Sequence, residues 1–187
     1  HTATSPWYWA SAGKTLTTAT IGIAQQEGFL NINDKVSDYL GTGWTSAPLA
    51  KENLITNKHL LSMTSGLNDA LGNGNSPAEL QYLADAGTRW AYHNVFEKLQ
   101  DVIAEATDQT FDAYFTAKLK SKIGMTGAWI ASDDFNVYWS TTRSTARFGL
   151  LSLNKGKWEN EIIIPEAFMT EAISPSQNIN NAYGYLW

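Results

Sequence analysis

Residues 11–27 read SAGKTLTTATIGIAQQE. Leu16, Ala19, Ile23 and Ala24 recur at helical spacing and share one face, and Gly28 fits the left-handed stop that closes a helix. A helix with such an apolar face is stable only if other elements cover it. The surrounding sequence should therefore supply packing partners.

Several such partners can be read downstream. Residues 29–40 form a turn-rich connector, with Leu30, Ile32, Val36, Tyr39 and Leu40 as expected buried anchors, and 41–48 read as loop. Thr56 can cap a short helix over 57–65, stopped by Gly66. A polar, glycine-rich loop follows (68–76, NDALGNGNS), and Pro77 suits the first position of a helix reaching Ala86. Phe96, Leu99, Val102, Ile103 and Ala106 mark a clear amphipathic helix. Another is expected over 111–123, an irregular or extended stretch over 125–139, and a helix over 142–153 closed at 154–156. A short extended run (161–164) precedes Pro165, which opens a helix over 166–173, and the sequence closes on the aromatic run AYGYLW (182–187). Six or seven helices and almost no strong strand predict a mainly α chain without internal repeats.

Composition narrows the function classes. The chain has 187 residues, 43% hydrophobic and 17% charged, which suits one domain over 1–187 with a core of its own. Net charge is −5 and evenly spread: residues 1–94 carry 5 basic and 7 acidic groups, residues 95–187 carry 8 and 11. No basic face is available for a phosphate backbone, so nucleic acid is not an expected partner. The absence of cysteine excludes disulfides, thiolate metal sites and cysteine nucleophiles. His1, His59 and His93 are scattered without a His-Glu-x-x-His pattern, His59 reads as a satisfied helix histidine and Asp133-Asp134 as a solvated turn, so neither metal nor cofactor is expected. No apolar run approaches the roughly 20 residues that span a bilayer. The start, HTATSP, shows no charged segment followed by an apolar one, so no signal peptide is visible.

Two short motifs can carry chemistry. In Ser11-Ala12-Gly13-Lys14, positions i and i+3 of an opening helical turn share a face, so Lys14 Nζ can reach Ser11 Oγ. A serine is a weak nucleophile until a base takes its proton, and a neutral lysine can do so. The spacing alone is unselective: 14 serines and 10 lysines give about 0.7 chance occurrences, and a second pair, Ser152/Lys155, sits at a helix end where lysine serves as a cap. Gly13-Lys14-Thr15 also resembles the end of a phosphate-binding loop, but Tyr8 stands where that loop needs glycine. The second motif, Tyr92-His93-Asn94, falls on a loop before the helix at 96 and presents a phenol and an amide in the same direction. Those groups suit a proton relay beside a carbonyl-binding amide; alternatively Tyr92 packs on the core and Asn94 caps the helix. Trp7, Tyr8, Trp9 and Trp90 flank both motifs, as cleft or as core.

Taken together, the motifs resemble the serine β-lactamase and penicillin-binding-protein superfamily, nearest its class C β-lactamase, D-alanyl-D-alanine carboxypeptidase and esterase branch. EGFLNINDKVSDYL (27–40), ITNKHLLSMTSGL (55–67), LKSKIGMTGAW (119–129) and STTRSTARFGLLSLNKGKW (140–158) are similar to that branch in the same order. The resemblance implies the helix-rich part of the α/β β-lactamase/transpeptidase-like fold, with most of its antiparallel sheet missing. It implies Ser11 as acylated nucleophile, Lys14 as its base, alone or with Tyr92, Tyr92 as proton donor to the leaving group, and Asn94 as the holder of the substrate carbonyl and of Lys14. The Ser11 N–H would give one oxyanion donor.

No Lys-Thr-Gly or His-x-Gly, the family's third motif, follows residue 94. The expectation is therefore an incomplete central portion of a longer enzyme, lacking the second oxyanion donor, with an exposed apolar face inviting self-association. Met63 stands where the family often has histidine, which marks that position as structural. The implied substrate is a small-molecule amide or ester (β-lactam, D-alanyl peptide or small ester) and the implied location periplasmic or secreted. A non-catalytic penicillin-binding or sensor module on the same scaffold is the alternative. An assembled site requires Lys14 Nζ within about 3.5 Å of Ser11 Oγ.

Overall fold

In the computed structural model, which describes residues 2–132 and 134–187, the stretch quoted above becomes a 3₁₀ turn (Ala10–Gly13) running into helix α1 (Lys14–Gln26). His1 and Asp133 lie outside the described residues, and with them the reading of Asp133-Asp134 as a turn. Helix α1 is buried on every side from Leu16 to Ala24, not on one face alone. Its threonines permit this because their hydroxyls find partners. Thr18 Oγ1 donates to the Tyr185 carbonyl (2.7 Å), Thr20 Oγ1 to the Leu16 carbonyl (2.7 Å), and Thr17 Oγ1 accepts from Gln100 Nε2 (3.4 Å).

The other helices surround it. They are α2 (Ser37–Leu40), α3 (Leu49–Glu52), α4 (Asn57–Leu61), α5 (Lys98–Thr107), α6 (Phe111–Phe115), α7 (Thr142–Leu153) and α8 (Glu166–Ala172). Thr56 caps α4 as expected, in a capping box: its side chain accepts from the His59 N–H while His59 Nδ1 accepts from the Thr56 N–H. Thr110 and Thr141 cap α6 and α7 with the side chain alone, accepting from the Ala113 and Ser144 N–H groups. At Gly22 α1 packs closely on α8, for a Cβ there would lie 2.4 Å from Phe168 Cδ1. The closing aromatic run is built into this core: Tyr185 and Leu186 are buried, and the Leu186 N–H donates to the Leu61 carbonyl (2.9 Å).

Three expectations need correction. The helix expected over 77–86 does not form. After a short turn on the Ser76 carbonyl the backbone there bonds across to another segment: the Leu83 and Ala84 N–H groups donate to the Gly66 carbonyl (3.1 and 2.9 Å), and the Asn68 N–H donates to the Gln81 carbonyl (2.8 Å). Glu79 folds back onto Ser76, accepting from its N–H and hydroxyl. The helix expected over 57–65 ends at Leu61, because Met63 turns left-handed (φ 59°). The helix expected over 111–123 stops as α-helix at Phe115 and continues as a π turn over Thr116–Lys120.

Residues 125–139, expected to be irregular or extended, are extended and form most of a regular hairpin. Strand β2 (Ala128–Ser132) pairs antiparallel with β3 (Phe135–Thr141), and β3 also pairs with β1 (Pro6–Tyr8), giving the order β1-β3-β2. A second, two-stranded ladder joins β4 (Lys157–Trp158) and β5 (Glu161–Ile162). On the inner face of the three-stranded sheet, Trp129 and Tyr138 pack against Phe115, with ring centroids 5.1–5.5 Å apart. On its outer face Tyr8, Ile130, Phe135 and Trp139 remain exposed. The fold is thus mainly helical with a small sheet, and no described helix is long and apolar enough to cross a membrane.

Candidate active site

Ser11 stands at the junction of sheet and central helix. Strand β1 ends at Tyr8, the Trp9 N–H continues the ladder to the Tyr138 carbonyl (3.0 Å), and buried Trp9 is anchored through Nε1 to Ser140 Oγ (2.6 Å). Ala10 then adopts φ 48°, a left-handed bend that an L-residue seldom takes, and turns the exposed Ser11 into the 3₁₀ turn before α1. One turn on, Lys14 Nζ donates to Ser11 Oγ at 3.0 Å. The second Ser-x-x-Lys pair makes no such contact. Ser152 Oγ donates to the Phe148 carbonyl, and Lys155 reaches Glu166 across 2.8 Å.

Tyr92 and Asn94 come to the same place. Ser11, Lys14, Tyr92 and Asn94 all line one cavity of about 310 Å³, together with Tyr8, Asn73, Phe96, Glu97 and Asn136. Lys14 Nζ lies over two rings, 4.9 Å from the Tyr92 centroid and 4.7 Å from that of Phe96. The half-exposed Tyr92 leans on Trp90 and Tyr183, at centroid distances of 6.5 and 6.4 Å. Met63 fixes the loop behind it: its carbonyl accepts from the Ala91 N–H (2.9 Å) and its sulfur from the His93 N–H (3.4 Å). Of the four flanking aromatics, Tyr8 lines the cavity, Trp9 is core, and Trp90 supports Tyr92.

Asn94 is buried at the start of a 3₁₀ turn (Asn94–Glu97) and makes no side-chain cap. Its Nδ2 donates to the main-chain carbonyls of Asn73 (3.0 Å) and Asp134 (2.7 Å). Two acceptors on that side fix the amide's orientation, which leaves buried Oδ1 without a partner. Asn94 therefore ties the glycine-rich loop and the β2–β3 turn to the cavity floor.

Sequence reasoning missed Glu97. This partly buried carboxyl lines the cavity, and its Oε1 accepts from the Asn136 N–H (3.0 Å). Burial pushes it up to about 7, with the Asn136 N–H and the Lys14 charge pulling the other way. His93 is shifted downward by burial, so the buried imidazole favours its neutral form. No periodicity marks Glu97, since it occupies an ordinary polar slot ahead of α5.

The family model described as Beta-lactamase matches residues 1–179 of the 187. The chain belongs to the beta-lactamase family. No functionally curated protein matches the sequence. Similar solved structures include a protein of Bacteroides dorei DSM 17855 described as a beta-lactamase (TM-score 0.82, 19% identity, 100% of this chain and 66% of that one). A penicillin binding protein from Bacillus halodurans is also similar (TM-score 0.75, 17% identity, 99% and 70%). So is a D-stereospecific amidohydrolase from Streptomyces (TM-score 0.75, 15% identity, 98% and 70%). At these identities the likeness is one of fold. The beta-lactamase-family chain spans 66% of the length of the first of these proteins.

Proposed function

We propose that this chain carries the nucleophile, base and proton relay of a serine hydrolase that works through an acyl-enzyme on an amide or ester carbonyl. The observation that carries this reading is the 3.0 Å contact from Lys14 Nζ to Ser11 Oγ at the mouth of a cavity also lined by Tyr92 and Asn94. Neutral Lys14 takes the Ser11 proton as Oγ attacks the carbonyl carbon. The Ser11 N–H, at the head of α1, faces developing oxyanion charge. Tyr92 passes a proton to the leaving group, and water then cleaves the ester on Ser11.

Asn94 enters as a brace of the cavity; to hold a substrate carbonyl its amide would have to release Asn73 or Asp134. Substrate candidates are a β-lactam, a D-alanyl peptide or a small ester, met outside the cytoplasm as in the penicillin-binding branch. The exposed outer face of β1-β3-β2 is the proposed surface for self-association. The test is intact-mass analysis with benzylpenicillin, a D-alanyl-D-alanine peptide and a p-nitrophenyl ester. A transient +acyl species with product release supports the hydrolase. A lasting adduct without release supports the penicillin-binding module instead.

A further inference from the structure

The cavity around Ser11 does not end at its polar groups. It adjoins a groove of about 370 Å³ on the outer face of the three-stranded sheet, lined by Tyr8, Ile130, Ser132, Phe135, Val137 and Trp139. Tyr8, Phe135 and Val137 line both. The join has a structural cause. Strand β1 pairs with β3 only from Tyr8–Trp139 to Pro6–Thr141, and the left-handed bend at Ala10 then carries the chain away to Ser11. Phe135 to Val137 are thereby left without a strand on that side of β3, and cavity and groove meet across the gap.

The two hollows differ in chemistry. The cavity holds Lys14, Glu97 and Asn94, whereas no residue lining the groove is charged. The register puts the groove residues on one face: Tyr8 lies opposite Trp139, Ile130 opposite Val137 and Ser132 opposite Phe135. Tyr8, Ile130, Phe135 and Trp139 are 36–55% exposed, so each has one side in the protein and one to offer. From Trp139 to Phe135 the groove follows four residues of β3, about 13 Å, which is room for a chain of about eight carbons. A polar reacting centre beside an uncharged apolar trough suits a ligand with a carbonyl at one end and a neutral hydrocarbon group at the other.

We propose that this groove receives the acyl group of the substrate, and that the substrate is an amide or ester with a medium-length, uncharged apolar acyl chain. The assignment to the acyl side rests on the acyl-enzyme reading above. In that reading the leaving group must meet Tyr92, which lines the cavity but not the groove and leans on Trp90 and Tyr183. The acyl group then points the other way, past Tyr8 and Val137. Tyr8 and Trp139, with ring centroids 5.4 Å apart, form one wall of its path.

Initial rates with p-nitrophenyl acetate, butyrate, hexanoate and octanoate, at nanomolar protein, test this. The ratio kcat/KM should rise about twofold per added methylene, half the free energy of full burial because the groove is open on one side. Trp139→Ser and Ile130→Ser should each lower the octanoate-to-acetate ratio severalfold. Ser132→Leu, which adds apolar surface to the same face, should raise that ratio, a gain that no loss of folding produces. A ratio near one, with Ser11 acylated by every ester, overturns the inference and leaves the hydrolase reading standing.

Binding is read separately, without turnover, from the Trp139 indole N–H signal in ¹⁵N-labelled chain, assigned by Trp139→Phe. The ketone 2-decanone, a carbonyl with an octyl chain and no leaving group, should shift this signal, and acetone at the same concentration should not. A shift with no ester cleaved and no adduct on Ser11 would uphold the apolar site and remove the hydrolase reading. An unmoved Trp139 signal overturns the inference, including the case in which a second copy covers this face at every concentration measured.

Discussion

Lys14 Nζ lies 4.9 Å from the centroid of the Tyr92 ring and 3.0 Å from Ser11 Oγ, so one side-chain nitrogen lies against both the Tyr92 ring and the Ser11 hydroxyl. The ring and the hydroxyl of Tyr92 then have separable duties. Tyr92→Phe should keep Lys14 in place and lower acyl transfer about 10–100-fold, while Tyr92→Ala should lower it further by also removing the ring. Burst kinetics with an activated ester measure both. An unchanged rate in Tyr92→Phe would show that the hydroxyl has no part, and equal losses in the two variants would show that the ring adds nothing beyond it.

Gly22 faces the Phe168 ring so closely that a methyl group would sit 2.4 Å from Cδ1. Gly22→Ala should destabilise the chain by about 1–3 kcal/mol through forced repacking of α1 against α8, despite alanine's better helix propensity. Urea unfolding reads this, and Phe168→Leu in the same chain should restore part of the loss.

Glu52 is buried and accepts from the Gly43 N–H (2.8 Å), the Thr45 N–H (2.8 Å) and Thr45 Oγ1 (2.6 Å), thereby shaping the loop over 41–48. Glu52→Ala leaves those donors without an acceptor and should cost about 2–4 kcal/mol in chemical denaturation. Glu52→Gln, which keeps one acceptor oxygen, should cost less.

Glu97 also makes stability depend on pH. Its folded-state value of about 7 lies above the usual 4.5, so the folded chain binds the proton more tightly than the unfolded one. The stability it contributes is full below about pH 4.5 and is lost as pH rises through 7. The melting temperature of Glu97→Gln relative to the original chain should therefore be higher at pH 8 than at pH 5. A difference that is constant across this range would contradict the raised value.

The outer face of the sheet gives a further test. Tyr8 lies opposite Trp139 on β3, and Ile130 lies opposite Val137, so these side chains form one continuous apolar surface. Trp139→Lys should abolish concentration-dependent association in sedimentation velocity. A chain that stays monomeric at all concentrations would remove self-association through this face.

That same face explains what the sequence concealed. Helices α5, α7 and α8 were legible because their apolar residues repeat at helical spacing. In AWIAS (128–132) and FNVYWST (135–141) the outward residues Ile130, Phe135 and Trp139 are as apolar as the inward Trp129 and Tyr138. The period-2 alternation of a half-buried strand was therefore erased. Residues 77–86 misled in the opposite way: Pro77 suits a helix start, but the carbonyl of Gly66, 17 residues upstream of Leu83, competes successfully for the backbone donors.

The Ser11–Lys14 contact follows from its spacing, but only the family resemblance along the chain sets that pair apart from Ser152/Lys155 and draws in Tyr92 and Asn94. The engagement of the Asn94 amide by Asn73 and Asp134, and the place of Glu97, depend on contacts 21 to 40 residues apart that no local pattern encodes.

The nucleophile itself is tested most directly by exposing the chain to a fluorophosphonate at pH 8 and mapping the adduct by peptide mass spectrometry. The adduct is expected on Ser11, absent in Ser11→Ala and reduced about 10²–10⁴-fold in Lys14→Ala. Modification of another serine, or equal labelling of Ser11 with and without Lys14, would contradict activation of this hydroxyl by the neighbouring lysine.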